Sequence, residues 1–164
     1  MKQQQRDIAS KVACARGSRQ APWCKPAVVT PTTHPLTLRL FAETLAIARL
    51  ASNAGVPDWI FGNDFLSITR TRRELSIVCR DEAVPAEVSE VQRGFRAFAV
   101  VGTLDFAATG IIAALAEPLA AEGVPIFGLS TYDTDHILIH ESHLEAGIAA
   151  LRAAGHTVRE ASTP

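Results

Sequence analysis

The chain has 164 residues, of which 48% are hydrophobic and 20% are charged, and its formal net charge at pH 7 is −1. This composition is typical of a globular protein with one or two small domains, and the near-neutral charge gives no electrostatic basis for binding nucleic acid or an acidic membrane surface. No apolar run approaches the roughly 20 residues that cross a bilayer, and the N-terminus lacks the apolar stretch of a secretory signal. We therefore expect a cytoplasmic protein that contacts no membrane.

Residues 1–34 differ from everything that follows them. They carry scattered charges and several prolines, with no sustained hydrophobic periodicity. Such a pattern predicts a tail that is poorly ordered or loosely docked, and we assign it no function.

After residue 34 the pattern becomes regular. The alternation in "LTLRLF" predicts a strand, and the apolar stripe in "AETLAIARLASNAG" predicts a helix that ends near Gly55 and Pro57. Two strands, "DFLSITRT" and "ELSIVCR", follow around a tight turn at residues 71–73, and "VPAEVSEVQRG" is typical of a short helix.

The second half of the sequence shows the same order of elements. It contains a strand, a helix bent or restarted at Pro118, two strands, a helix closed by Gly155 and a last strand. The corresponding segments are "GFRAFAVVG", "GIIAALAEPLAAEG", "VPIFGLST", "HILIHES", "LEAGIAALRAAG" and "HTVRE".

Two matches between the halves indicate an internal duplication. "AGVPDWI" matches "EGVPIF", and "ITRTRRELSIVCR" aligns without gaps on "LSTYDTDHILIHE", which places Thr69 on Ser130 and Glu74 on Asp135. Each unit then follows the order β-α-β-β-α-β. The predicted fold is α+β, with two ferredoxin-like (βαββαβ) repeats, antiparallel sheets and helices on one face. The first repeat, 35–93, is degenerate and lacks an obvious fourth strand, so we expect a strand to be shared or swapped with the second repeat, 94–164.

Three segments in this order resemble the bacterial tandem ACT-domain proteins related to the CASTOR-type cytosolic arginine sensor family. They are "SITRTRRELSIVC", "GTLDFAATGIIAAL" and "LSTYDTDHILIH", and the resemblance covers most of the chain outside the tail. ACT domains are small ligand-sensing modules, so the resemblance implies a non-catalytic regulatory protein that holds a free amino acid between its two ACT-type repeats. It also implies a homodimer.

Gly110 begins a predicted helix and is the first candidate for a ligand site. Glycine lets a ligand approach the backbone, and the first amides of a helix, here from Ile111 onward, have no intrahelical partner and favour an anion such as an α-carboxylate. Thr109 could instead cap the helix with no ligand present. The resemblance favours ligand binding at this glycine. Counting back from the shared Gly-Val-Pro places Ala42 at the equivalent position of the first repeat, so we expect one site per chain.

The hairpin after Ser130 is the second candidate. Asp135 could hold the ammonium or cationic end of a ligand, although Ser, Thr and Asp are also ordinary turn residues. The resemblance implies ligand contacts for Thr131, Tyr132 and Asp135, and by analogy it places Ser76 and Ile77 on a facing wall.

Other site chemistries fit the sequence less well. His136 and His140 are separated by about 13 Å along an extended strand, too far to share a metal, and we expect them on the solvent-facing side. Cys14, Cys24 and Cys79 are too scattered for a disulfide framework or zinc knuckle, and Cys79 is typical of a small core residue. "GLST" lacks the second glycine of a nucleophile elbow, and "GTLDFAATG" lacks the ending of a phosphate loop. We therefore expect no catalytic residue, no metal and no cofactor.

The alternative function is a structural or partner-regulatory oligomeric scaffold with a vestigial pocket. Either function requires an unidentified protein partner for its output, because the chain has no enzymatic motif of its own.

Overall fold

The computed structural model describes residues 35–160, which form one seven-stranded sheet and two α-helices. The strands are β1 (Thr37–Ala51), β2 (Ser67–Arg70), β3 (Glu74–Arg80), β4 (Val91–Val100), β5 (Phe127–Ser130), β6 (Asp135–His140) and β7 (Thr157–Glu160). The helices are α1 (Ile111–Ala121) and α2 (Leu144–Ala153), and short 3₁₀ turns lie at Asp58–Ile60, Asp81–Ala83 and Glu141–His143. Within residues 35–160, neither helix has the length and apolar character to cross a bilayer.

The strand order is β2-β3-β1-β4-β6-β5, with every neighbouring pair antiparallel, and β7 lies parallel to β1. We call residues 35–93 the first half and residues 94–160 the second half. The predicted β4, α1, β5, β6, α2 and β7 of the second half are all confirmed, as is the β2–β3 hairpin of the first half. α1 continues through Pro118 without a break.

The helix predicted after "LTLRLF" is wrong, because these residues continue β1 to a length of 15 residues. β1 is a central strand that bonds to β3 on one side and β4 on the other, and both of its faces are covered. Leu45 packs on one face of the sheet, while Ala46 and Ala48 pack on the other. A strand that is buried on both faces loses its alternation, so its apolar residues imitated a helical stripe.

The helix predicted over residues 84–94 is also wrong, so the described part of the first half contains no α-helix. A 3₁₀ turn and a short connection lead directly from β3 into β4. Asp81 holds this connection in place by accepting a hydrogen bond from the backbone N–H of Gly94 at 3.1 Å and by pairing with the guanidinium of Arg93.

β1 is the strand that the two halves share. Its first residues, Thr37 to Leu40, pair with β7 of the second half, while its last residues, Leu45 to Ala51, pair with β3 of the first half. The second half therefore borrows a strand that lies between its own β4 and β7.

Both α-helices pack on the same face of the sheet. Leu115 and Leu119 of α1 and Leu151 of α2 are fully buried against sheet residues such as Phe98. α2 approaches β6 closely at Gly147, where an added Cβ would lie 2.8 Å from the Cδ1 atom of Ile139. The helices are thereby fixed over β4 and β6.

The opposite face of the sheet carries an apolar cluster that includes His136. The His136 ring is only 8% exposed, and its centroid lies 6.2 Å from that of Phe41 and 5.4 Å from that of Phe65. The expectation that His136 faces solvent is therefore wrong, whereas His140 is exposed. Burial lowers the pKa of His136, and its Nδ1 atom is buried without a hydrogen-bond partner.

Cys79 lies in the core of the first half, as predicted from "LSIVC". It is fully buried, and burial raises the pKa of its thiol to about 11. A thiol that stays protonated at neutral pH is a poor nucleophile and a poor metal ligand.

Candidate ligand site

A cleft of about 500 Å³ opens between the start of α1 and the β5–β6 hairpin, on the helix face of the sheet. The two candidate segments of the sequence therefore lie side by side. The lining residues are Leu104, Asp105, Phe106, Ala108, Thr109, Gly110, Ile111, Ile112, Ala113, Ser130, Thr131, Tyr132, Asp133, Thr134 and Asp135. The volume falls within the usual range for small-molecule sites.

Gly110 is the N-cap residue of α1 and has a left-handed backbone, with φ at 82°. This conformation is strained for residues with a Cβ atom, so the glycine is required by the turn itself. The N-cap glycine has no side chain to cap the helix, and the Ala114 N–H donates to the Gly110 carbonyl at 2.8 Å. The amides of the first turn thus have no partner within the helix, and they add to the positive end of its dipole.

The turn of the β5–β6 hairpin is held by its own threonines. Thr131 N–H donates to the Thr134 carbonyl at 2.9 Å, and Thr134 N–H donates back to Thr131 Oγ1 at 3.2 Å. Thr134 Oγ1 also donates to the Val100 carbonyl at 2.7 Å, and Leu104 N–H donates to the Asp133 carbonyl at 2.8 Å. These bonds join the hairpin to the loop that leads into α1, so the two walls of the cleft are connected.

Asp135 is half-buried at the first position of β6, on the wall opposite the start of α1. Its Oδ1 atom accepts a hydrogen bond from Ser130 Oγ at 2.6 Å. An ionised carboxylate can accept several more hydrogen bonds, so Asp135 retains capacity for a ligand. Ser130, Asp105 and Asp133 also line the cleft and were not among the predicted site residues.

Tyr132 forms the rim of the cleft together with Phe106. The two rings are 80% and 77% exposed, and they meet edge to face with centroids 5.1 Å apart. Phe106 was missed in the sequence because it stands alone in a loop with no periodic pattern. Only its nearness to the predicted helix start could have indicated it.

Ser76 and Ile77 do not belong to this cleft, so the structure does not support the facing wall predicted from them. Both lie on β3 near the other edge of the sheet, and Ile77 is fully buried in the core of the first half. All lining residues of the cleft come from the second half.

The two hairpins have the same turn, which fixes their true alignment. In the β2–β3 hairpin, Thr71 N–H donates to the Glu74 carbonyl at 2.8 Å, as Thr131 N–H does to Thr134 in the β5–β6 hairpin. The matching turns place each residue of the first hairpin 60 positions before its counterpart, whereas the gapless sequence alignment places it about 61 positions before. Asp135 therefore corresponds to Leu75, which is fully buried, and not to Glu74 as predicted.

Ala42 is likewise not a counterpart of Gly110. It lies within β1, and no helix begins there. The first half therefore has neither the helix end nor the acidic residue of the cleft.

Comparison with known proteins identifies the class of this site. A family model described as "ACT domain" matches residues 90–153, and a second model, for an N-terminal domain, matches residues 43–87. The first match covers α1, the β5–β6 hairpin and the cleft between them. An ACT domain indicates a regulatory, small-molecule-binding role and not a catalytic one.

The chain belongs to the same family as protein Atu0741 from Agrobacterium tumefaciens, whose crystal structure is 36% identical in sequence. The match covers 79% of this chain and 96% of that one, with a TM-score of 0.74.

More distant structures share the fold alone. Protein VC0802 from Vibrio cholerae, described as a possible transport protein, is 20% identical over 70% of this chain and 85% of its own, with a TM-score of 0.58. The regulatory subunit of aspartate kinase from Thermus flavus is 15% identical over 72% of this chain and 96% of its own, with a TM-score of 0.50.

Proposed function

We propose that this protein is a non-catalytic regulator that binds one free amino acid in the cleft between α1 and the β5–β6 hairpin. The observation that carries the proposal is that a helix start with glycine at its N-cap and an aspartate lie on opposite walls of one cleft of about 500 Å³. An amino acid carries one negative and one positive group, and the cleft offers a partner for each.

The α-carboxylate would lie at the start of α1. The glycine at position 110 has no side chain to cover the backbone, and Ile111 and Ile112, the first residues of α1, line the cleft. Carboxylates are stabilised at such a helix end by hydrogen bonds and by the helix dipole.

The ammonium group would lie at Asp135, with backbone groups of the Thr131–Tyr132 segment beside it. The bond from Ser130 Oγ orients the Asp135 carboxylate, and the charge-assisted bonds to an ammonium are stronger than neutral ones. Phe106 and Tyr132 at the rim would cover the apolar part of the ligand.

The tandem arrangement is part of the proposal. The matching 3₁₀ turns that follow β3 and β6, and the matching hairpin turns, support two related ACT-type units, of which the first has lost its helices. The cleft lies within the second unit alone, so a second copy of the chain is the partner that would close its exposed rim. A homodimer of this kind would report occupancy to a further protein.

A thermal-shift screen tests the proposal. Each of the twenty amino acids is added at millimolar concentration, and we expect one of them, or one chemical group of them, to raise the melting temperature by several degrees. Asp135→Ala should remove this shift while the unliganded protein stays folded. Asp64→Ala is the matched control, because Asp64 is an exposed aspartate outside the cleft.

A flat screen across all twenty amino acids would contradict the proposal and favour an oligomeric scaffold with a vestigial pocket. A shift that survives Asp135→Ala would remove Asp135 from the site.

A further inference from the structure

The side chain of Arg70 joins the hairpin of the first half to the neighbouring loop, whereas in the second half a backbone bond from Leu104 N–H to the Asp133 carbonyl joins the corresponding parts. Its guanidinium donates two hydrogen bonds to the segment after β1, one to the Ser52 carbonyl and one to the Ala54 carbonyl at 2.7 Å. Arg70 is the last residue of β2, directly before the hairpin turn. The guanidinium thus links the hairpin of the first half to the loop that leaves β1.

The strand registers identify the matching place in the second half. Leu45 of β1 pairs with Arg80, and Phe95 of β4 pairs with His140, so β1 corresponds to β4 at a shift of 50 residues and β3 to β6 at a shift of 60. By these shifts the loop at Ser52–Ala54 corresponds to residues 102–104, which lead into the cleft.

Position 70 itself corresponds to Ser130. Arg70 pairs across the hairpin with Leu75, just as Ser130 pairs with Asp135, so both side chains lie on the same face of the sheet as the cleft. The short Ser130 side chain donates to its cross-strand partner Asp135, whereas the longer Arg70 side chain reaches the neighbouring loop.

We infer that the first half retains a cation-binding counterpart of the cleft and that Arg70 of the same chain occupies it. The ligand class of this second site is a guanidinium, because two carbonyl oxygens on one loop match the parallel N–H donors of a planar guanidinium and not a single ammonium. The site itself depends only on the contacts of residues 52–70. Its comparison with an open cleft rests on the function proposed above.

This occupancy gives the chain one open site instead of two. In the first half the arginine and the buried Leu75 hold the hairpin and the loop together permanently. In the second half the loop and the hairpin are joined through the backbone, and the short Ser130 leaves the space beside Asp135 open to a free ligand.

Chemical rescue tests the inference. Arg70→Ser installs the residue of the second half and removes the guanidinium, and hydrogen–deuterium exchange is then followed by mass spectrometry in the segment 50–56 of the full chain. We expect exchange in this segment to become about five- to tenfold faster, because the loop loses both bonds to the hairpin. Methylguanidinium at about 10 mM, far below denaturing concentrations, should restore at least half of the protection.

Arg72→Ser is the matched control. Arg72 lies in the same turn, but among residues 35–160 its side chain makes no hydrogen bond or ion pair, so neither the substitution nor methylguanidinium should change exchange in the segment. If Arg70→Ser does not fold, Arg70→Lys serves instead: its ammonium lacks the two parallel N–H donors of the guanidinium, and partial protection is expected.

Unchanged exchange in the Arg70 variant would overturn the inference, and so would faster exchange that methylguanidinium slows no more than it slows exchange in the Arg72 control. The experiment contains no amino acid, so a failed amino-acid screen leaves it intact. A failure of the exchange experiment likewise does not contradict the ligand site proposed in the second half.

Discussion

The two hairpins of this sheet have the same turn, but one lies beside an open cleft and the other is packed against its neighbouring loop. In the second half, the turn at Thr131 lies next to an open cleft with Asp135 on its wall. In the first half, the turn at Thr71 is followed by Leu75, which is fully buried, and Arg70 reaches across to the neighbouring loop. The two hairpins therefore share a backbone turn and differ in the side chains beside it.

The connections between the strands show the same difference. β1 reaches β2 through a loop and a 3₁₀ turn, whereas β4 reaches β5 through a longer segment that contains α1. Only the longer connection supplies a helix start, so under the proposed function only the second half would offer two partners of opposite charge to one ligand.

Positions 75 and 135 correspond in the two halves, and exchanging their residue types gives the largest expected effect on the free energy of unfolding. Leu75→Asp places an unpaired carboxylate in a fully buried position, and we expect it to lower the free energy of unfolding by about 4 kcal/mol. Urea unfolding followed by the fluorescence of Trp59, which packs against the same apolar cluster, measures the loss.

The reciprocal substitution is the control for this comparison. Asp135→Leu affects a half-buried residue at the edge of a cleft, so the free energy of unfolding should change by no more than about 1 kcal/mol. Equal losses in the two variants would mean that the two positions are not distinguished by burial, and the comparison of the halves would fail.

Gly110→Ala tests whether the helix start, which only the second half has at this place, contributes to ligand binding. The left-handed backbone at φ 82° strains alanine by about 1–2 kcal/mol, and relief of that strain would move the first amides of α1. We expect a stability loss of this size and at least a tenfold weaker response to any amino acid that raises the melting temperature of the parent protein. Titration calorimetry measures the binding.

Gly128→Ala is the matched glycine control. Gly128 also lies beside the cleft region, on β5, but an added Cβ there meets no atom within 4 Å and its backbone has no positive φ. Its stability and binding should stay close to those of the parent. A Gly110 variant that behaves like the Gly128 variant would separate the helix start from ligand binding.

The second half was predicted more accurately from the sequence than the first, for a physical reason. α1 and α2 each have one buried face and clear end signals, and their limits were predicted to within a few residues. The first part of β1 alternates and was predicted as a strand, whereas Leu45 and Ala46 in its second part are buried on opposite faces, so this part shows no alternation and was assigned to a helix. Periodicity identifies an element only where one of its faces meets solvent.

The candidate site was predicted in part. The convergence of Gly110 with the hairpin followed from chain order and the resemblance, and the structure places both at one cleft. Ser76 and Ile77, placed on a facing wall by analogy with the resembling family, do not line the cleft. The sequence alignment of the two halves, which paired Glu74 with Asp135, was one residue out of register. In a strand such a slip moves a side chain to the opposite face, so the correct counterpart of Asp135 could be found only from the hydrogen-bonded register.

The smallest expected effect concerns the face of the sheet opposite the cleft, where His136 corresponds to Ser76. Burial lowers the pKa of His136 in the folded protein, with opposing influence from Asp135 and a smaller lowering influence from Arg39. The unfolded chain has an ordinary histidine pKa near 6.5, so it binds a proton more readily than the folded chain. Stability from this group is therefore fully present above about pH 6.5 and is lost as the pH falls towards the lower folded pKa.

His136→Phe keeps a ring between Phe41 and Phe65 but removes the titration. We expect the parent to lose up to about 1 kcal/mol more stability than the variant between pH 7.5 and pH 5.5, measured by urea unfolding at each pH. Because position 76 in the first half carries a serine, which does not titrate in this range, the pH dependence assigned here arises from the second half alone. Parallel curves for parent and variant would mean that the folded protein accepts the proton on His136 without cost, and that its unpartnered Nδ1 atom gains a partner when the ring is charged.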